Sequence, residues 1–185
     1  SEGTVVTLTP SPEQESVEAT HVFHRSVSCT SRNDTSALAF VGTNCGVFVV
    51  DTRTGNQLAQ LLGNKRDVRC FQAVRDTLYV GVHDTTEPID SNFGLWAIDM
   101  SAITAHPIKK VGDWEVVEMT LNSKQSQMAI TYCQNLNGSY WFEVHLFGVN
   151  ENGGIEYQER IGGDGWGKVQ FSEDDTKVII DVQEF

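Results

Sequence analysis

Residues 46–55 read GVFVVDTRTG, residues 93–100 read FGLWAIDM and residues 140–149 read YWFEVHLFGV. Each is a short run of β-branched and aromatic residues that carries no 3.6-residue stripe, so each predicts a strand rather than a helix. Asp51 and Asp99 are 48 positions apart, and Gly148 falls 49 further on. A second run follows each: QLAQLLG (57–63), PIKKVG (107–112) and IEYQERIGG (155–163), and Gly63, Gly112 and Gly162 keep the same interval. Working outward, ALAFVGT (37–43), TLYVGV (77–82), QMAITY (127–132) and KVIIDV (177–182) predict a strand before each pair. THVFHRSVSC (20–29), VRCFQAV (68–74), VVEMTLN (116–122) and GKVQFS (167–172) predict another before that. Gly, Asn, Asp and Ser fill the gaps, as turns require. Only SPEQESVEA (11–19), with Ser11 as a cap, and SAITAHP (101–107), stopped by Pro107, read as short helices. The chain is therefore expected to be all-β.

Four strands recurring at a fixed interval of about 49 residues are the pattern of a β-propeller blade. GVFVVDTRTG and GLWAID (94–99) look like the third strand of a blade, with Asp51-Thr52 opening the turn and Gly55 supplying positive φ. FSEDDTKVII (171–180) looks like the turn between first and second strands. On these residues the chain resembles the WD-repeat family of β-propellers over about 17–185. It departs from the family's Gly-His pair at Gly63-Asn64, Gly112-Asp113 and Gly162-Gly163. The Trp-Asp pair becomes Val50-Asp51, Ile98-Asp99 and Phe147-Gly148.

The expected organisation is an entering strand and linker over 1–16, then four-stranded antiparallel blades over 17–63, 64–112 and 113–163, and an incomplete one over 164–185. That makes about 3.5–4 blades, where a WD-type propeller closes with about seven. Three readings stay open: a section of a longer propeller, closure by strand complementation or self-association, and a compact four-bladed ring completed by TVVTLT (4–9). The start at Ser1 reads as processed, trimmed or excised. No basic-then-apolar leader is visible, so a signal peptide is expected to be absent or removed.

Lys and Arg number 13 against 25 Asp and Glu, a formal net charge of -12. That surface repels a phosphate backbone, which disfavours direct nucleic-acid binding and suits a basic protein partner. No run approaches the roughly 18 apolar residues of a membrane helix, so no membrane insertion is expected. Cys29, Cys45, Cys70 and Cys133 form no C-x-x-C pair. They read as reduced thiols of an intracellular protein, cytoplasmic or nuclear. The acceptor tripeptides Asn33-Asp34-Thr35 and Asn137-Gly138-Ser139 keep a secreted protein as the alternative.

His21 and His24 sit three apart in a strand-like run and so face opposite sides of the sheet. No nucleophile elbow, phosphate loop or calcium loop is present, so neither a catalytic residue, a metal nor a cofactor is expected. NENGG (150–154) and GGDGWG (162–167) read as turns.

The resemblance implies that loops 63–68, 112–116, 162–168, 43–46, 83–93 and 133–139 open on one face. Arg66, Trp114 and Trp166 recur there after the repeat glycines, and the acidic insertion HDTTEPIDSN (83–92) adds His83, Asp84, Glu87 and Asp90. Trp and Arg dominate binding hot spots, so these seven residues are the expected partner-binding set. The competing expectation buries both tryptophans between blades. The leading functional expectation is a non-enzymatic scaffold or complex subunit that holds other subunits or peptides. A hydrolase or lyase with a site in a central channel, and a secreted glycan- or receptor-binding propeller, are the alternatives. The channel enzyme needs Asp, Glu or His at the starts of the first strands, where Val68, Cys70, Val116, Val117 and Val169 read as apolar.

Overall fold

A computed structural model describes residues 7–9, 17–28, 35–63, 66–84, 94–101, 108–112, 115–136, 139–163 and 167–182. These residues form fourteen strands and, among them, no helix. The first sheet runs β1 (Ala19–Ser28), β2 (Thr35–Thr43), β3 (Gly46–Asp51), β4 (Asn56–Leu61). The second runs β5 (Arg66–Val74), β6 (Thr77–Asp84), β7 (Gly94–Asp99), β8 (Ile108–Gly112). The third runs β9 (Glu115–Leu121), β10 (Gln127–Leu136), β11 (Ser139–Val149), β12 (Ile155–Gly163). A two-stranded sheet pairs β13 (Gly167–Phe171) with β14 (Val178–Val182). All pairings are antiparallel between strands consecutive in sequence. The all-β expectation and its four-stranded antiparallel sheets hold.

The repeat is written in hydrogen bonds. Thr52 N–H donates to Ala37 O at 2.9 Å, Met100 N–H to Asp76 O at 2.7 Å and Val149 N–H to Ser126 O at 2.8 Å. Asp51, Asp99 and Gly148 are therefore equivalent, each the last residue paired to the second strand. Asp51 Oδ1 accepts from Arg53 N at 2.9 Å and Asp99 Oδ1 from Ser101 N at 2.8 Å, the Asx bond that opens a turn. Gly148 has no side chain to do this. Asn150 takes over two residues later, accepting from Asn152 N at 3.0 Å and Gly154 N at 2.9 Å. Gly55 does have positive φ, 74°.

The turns joining β9 to β10 and β13 to β14 are also copies. Asn122 N bonds Gln127 O and Gln125 N bonds Asn122 O; fifty residues on, Ser172 N bonds Lys177 O and Asp175 N bonds Ser172 O. Gln125 and Asp175 share a left-handed backbone, φ 54° and 57°.

Alternation then decides which side each residue buries. From β2, Leu38 and Phe40 pack against Val68, Leu78, Val80 and Val82 of the second sheet. From β6, Tyr79 looks the other way, into a core with Val116, Met128 and Ile130 of the third sheet. Val169 closes a third, smaller core with Ala129 and Val144. Each large apolar side chain so buried contributes about 1.5–3 kcal/mol. Backbones approach closely where Gly42 meets Val68 and Phe71, and where Gly81 meets Cys70 and Val116. First strands lie beside first strands: β1 against β5, β5 against β9 and β9 against β13.

Three sequence expectations change. The loop expected over 133–139 is mostly strand, because β10 and β11 stay in unbroken register from Cys133↔Phe142 to Leu136↔Ser139. Arg66, expected in a loop, is the first residue of β5, and His83 and Asp84, expected in the 83–92 insertion, are the last two residues of β6, paired to Asp67 and Arg66. Ala19, the last residue of the first helix candidate, is the first of β1. Residues 11–16 and 102–107, the bulk of both helix candidates, lie outside the described residues, as do Asn33 and Asn137. Of the segment 4–9, residues 7–9 are described. Thr9 N donates to Gln57 Oε1 at 2.9 Å, and Leu8 lines a cavity of about 400 Å³ with Ala39, Val41 and Val50. Leu8 and Thr9 therefore lie against the first sheet and not beside β14.

Candidate functional site

At one end of the sheets, first strands begin and second strands finish. Register sets Arg66 opposite Asp84 and Asp67 opposite His83 at the end of the second sheet. In the third sheet it sets Glu115 opposite Cys133. The two ends are joined: His83 Nδ1 lies 2.9 Å from Glu115 Oε1. A carboxylate only accepts, so Nδ1–H donates and Nε2 is the second ring nitrogen. Both side chains are about a third exposed. Such a pair contributes about 0–1 kcal/mol, so a cationic ligand can displace the imidazole from Glu115 at small cost.

The row extends toward the first sheet. Asp67 Oδ2 lies 3.1 Å from Arg69 Nε. His21 of β1 packs tilted on Phe71 with ring centroids 5.7 Å apart. Burial lowers its pKa, and the nearby Asp67 carboxylate opposes that shift. Across the row, burial raises the Cys133 thiol and the Glu115 charge raises it further. Burial pushes Cys70 up to about 12. In both, burial disfavours the thiolate. Cys45, Cys70 and Cys133 are free thiols. Among the described residues no three His, Cys, Asp or Glu side chains gather as a metal-binding set. No helix among them is long and apolar enough to cross a membrane.

Of the seven expected site residues, Arg66, His83 and Asp84 stand at the same end of the β5–β6 pair, but Arg66 lies opposite Asp84 and His83 opposite Asp67, so Arg66 and His83 take opposite faces of the sheet. Trp114, Trp166, Glu87 and Asp90 lie outside the described residues. Glu115, next in sequence to Trp114, and Asp67 were missed. The signal was available: both stand at the start of a first strand, 48 positions apart, the interval of the repeat. Apolar Val68 and Val116 are indeed buried, yet the strand starts also carry these carboxylates.

His21 and His24 do face opposite sides. His21 meets Phe71 of the second sheet, while His24 lines the cavity under Leu8. His145 of β11 sits beside a carboxylate and two tyrosine rings. Its Nε2 lies 2.8 Å from Glu143 Oε2, and Arg160 Nη1 lies 3.3 Å from Glu143 Oε1. Tyr132 and Tyr157 flank the ring at 5.2 and 5.5 Å. Glu143 and His145 are two apart in a strand and so share a face, which is the signal that would have found them.

No protein-family model, curated protein or solved structure matches the chain.

Proposed function

We propose that this chain is a non-enzymatic interaction module, built as a run of degenerate WD-type propeller blades that belongs to a larger or partner-completed propeller. It binds protein subunits or peptides, basic ones by preference, through the end of the sheets where His83 meets Glu115 and Arg66 opens β5. The observation that carries the reading is the His83–Glu115 bridge between two sheets, about a third exposed, beside the point where β6 gives way to the acidic 85–93 stretch. Weak pairing leaves this carboxylate ready to exchange partners, and the net charge of -12 draws cations. Free thiols fit a reducing intracellular compartment.

The test is fluorescence anisotropy with a panel of basic and acidic peptides. Basic peptides should bind, and Trp114→Ala and Trp166→Ala should each cost about 2 kcal/mol of binding with folding retained. Neutralising Asp84, Glu87 and Asp90 should slow association and flatten its salt dependence. Equal binding by all variants, or loss of folding in both tryptophan variants, refutes the reading. One observation favours a hydrolase or lyase instead: Asp67, His83 and Glu115 lie at strand ends where a channel site would need acids and bases. Turnover of ester or glycoside substrates, abolished by Glu115→Gln, would establish that alternative.

A further inference from the structure

The third sheet has all four strands, with the second sheet packed on one side and the β13–β14 pair on the other. Its β9 and β10 meet the second sheet through Val116, Met119, Met128 and Ile130. Its outer strands, β11 and β12, make no sizeable backbone contact with the second sheet among the described residues. On these outer strands Tyr157 is 56% and Trp141 44% exposed, although both are large aromatic side chains.

Trp141, Glu143 and His145 alternate along β11 in unbroken register with β10, so they share one side with Tyr132, the partner of Glu143. Tyr157 and Arg160 of β12 are three apart and would face opposite sides of a regular strand. Two register shifts in the β11–β12 pairing change that. Tyr157 lies opposite Phe147 and Arg160 opposite His145, while Gln158 and Ile161 fall out of register. Both side chains therefore come to the side that His145 occupies, which is the re-aiming that bulges perform beside functional sites.

The polar members of this set neutralise one another. Glu143 Oε2 accepts from His145 Nε2–H at 2.8 Å, and Glu143 Oε1 lies 3.3 Å from Arg160 Nη1. One carboxylate answers one guanidinium, so an ionic ligand would have to displace a partner already in place. A hydroxyl group does not: it donates to a carboxylate lone pair that these two bonds leave over and accepts from a further guanidinium N–H. Arg160 is about half exposed, within reach of such a ligand. The rings supply an apolar platform beside it. Tyr157 meets His145 at 5.5 Å and Phe147 at 5.9 Å, both edge to face, and is held in place while much of its surface stays in water. A ring of this kind matches the C–H face of a pyranose, whose hydroxyls project from its rim. Trp141 repeats the platform along the strand, and the four-residue step from Trp141 to His145 spans roughly 13 Å. That length suits a short oligosaccharide better than a single sugar.

We propose that this side of β11 and β12 is a binding site for a neutral oligosaccharide, stacked on Tyr157 and Trp141 with its hydroxyls on Glu143 and Arg160. The site lies apart from the His83–Glu115 end and does not rest on the reading given for that end.

The probes are maltotriose, cellotriose, mannotriose and triacetylchitotriose, titrated into the intact chain and followed by calorimetry and by the Trp141 indole N–H signal in NMR. At least one should bind with a Kd of about 1 mM or tighter and shift that signal. Tyr157→Ala and Trp141→Ala, both at exposed positions where folding is retained, should each weaken binding about tenfold, and Tyr157→Phe should keep it. Trigalacturonate and the glucosamine trimer, acidic and basic chains of the same length, should bind no more tightly than the best neutral sugar. His83→Ala with Arg66→Glu should leave the affinity unchanged. Binding of none of the four sugars, binding that neither aromatic variant weakens, or tighter binding of a charged trimer overturns the proposal. So does loss of sugar binding in the Arg66→Glu, His83→Ala variant, which would move the sugar to the other end. A basic peptide that shifts the Trp141 signal in place of any sugar would make this side a protein-docking face and overturn the proposal in that way.

Discussion

Replacing Gly81 by alanine tests whether sheets two and three meet as described. A strand glycine outside the left-handed region should accept alanine with a gain of roughly 0.5–1 kcal/mol, because alanine loses less backbone freedom on folding. The structure reverses that sign. A Cβ at Gly81 would sit 2.5 Å from Cys70 Sγ, 3.0 Å from Val116 Cβ and 3.2 Å from Val116 Cγ1. Cys70 and Val116 come from first strands of adjacent sheets, so relief requires moving one strand or parting the two sheets. Overpacking of this kind costs about 1–3 kcal/mol, leaving a net loss of about 1–2 kcal/mol after the backbone gain. Urea unfolding should show a lower midpoint at an unchanged m-value. Cys70→Ala removes the closest atom, so the double variant should recover part of the loss, a coupling of about 1 kcal/mol in a double-mutant cycle. A Gly81→Ala protein as stable as the parent, or more so, would refute the packing of these two sheets.

Three further outcomes are expected. Tyr79→Phe deletes a buried phenol that donates to Gly153 O at 2.7 Å, and should lower unfolding free energy by about 1–2 kcal/mol in the same assay. Asn150→Ala should cost about 0.5–1.5 kcal/mol, while Gly148→Ala, which meets only the flexible end of Gln158, should cost less. The Asp174 carboxyl is held down to about 2 by the Ser172 hydroxyl and then Thr176, and Asp175 is lowered by the Ser123 hydroxyl and amide. Depressed carboxyls stabilise fully above their unfolded value near 3.8 and lose that contribution as pH falls toward about 2. Unfolding midpoints at about pH 5 and about pH 2.5 should therefore diverge less in the Asp174→Ala, Asp175→Ala double variant than in the parent.

Strand positions were legible because the signal is local: Val47 to Val50 or Leu78 to Val82 can form little else than a strand buried on both faces. The Asp51 and Asp99 turns were legible for the same reason, since an Asx bond needs only residues two apart. The shift of that bond from Gly148 to Asn150 was not. It depends on where β11 stops pairing, which no periodicity encodes. The candidate site was half legible. Arg66 and His83 were singled out as loop residues and prove to be strand residues, while Asp67 and Glu115 were hidden by apolar neighbours. Register irregularities at Val68/Cys70 in the β5–β6 pairing and at Thr131/Tyr132 in the β10–β9 pairing reset the inside–outside alternation beside them. A bulge leaves no mark in composition.

The meander order has a kinetic meaning. Each sheet draws its hydrogen bonds from one continuous stretch, and among the described residues sizeable contacts between sheets join only those next in sequence. A chain arranged this way can assemble in the order in which a ribosome releases it: each hairpin closes over a short loop, and each finished sheet offers a face for the next to condense upon. Traction would undo it by the same units, whole sheets leaving as single steps in the extension record.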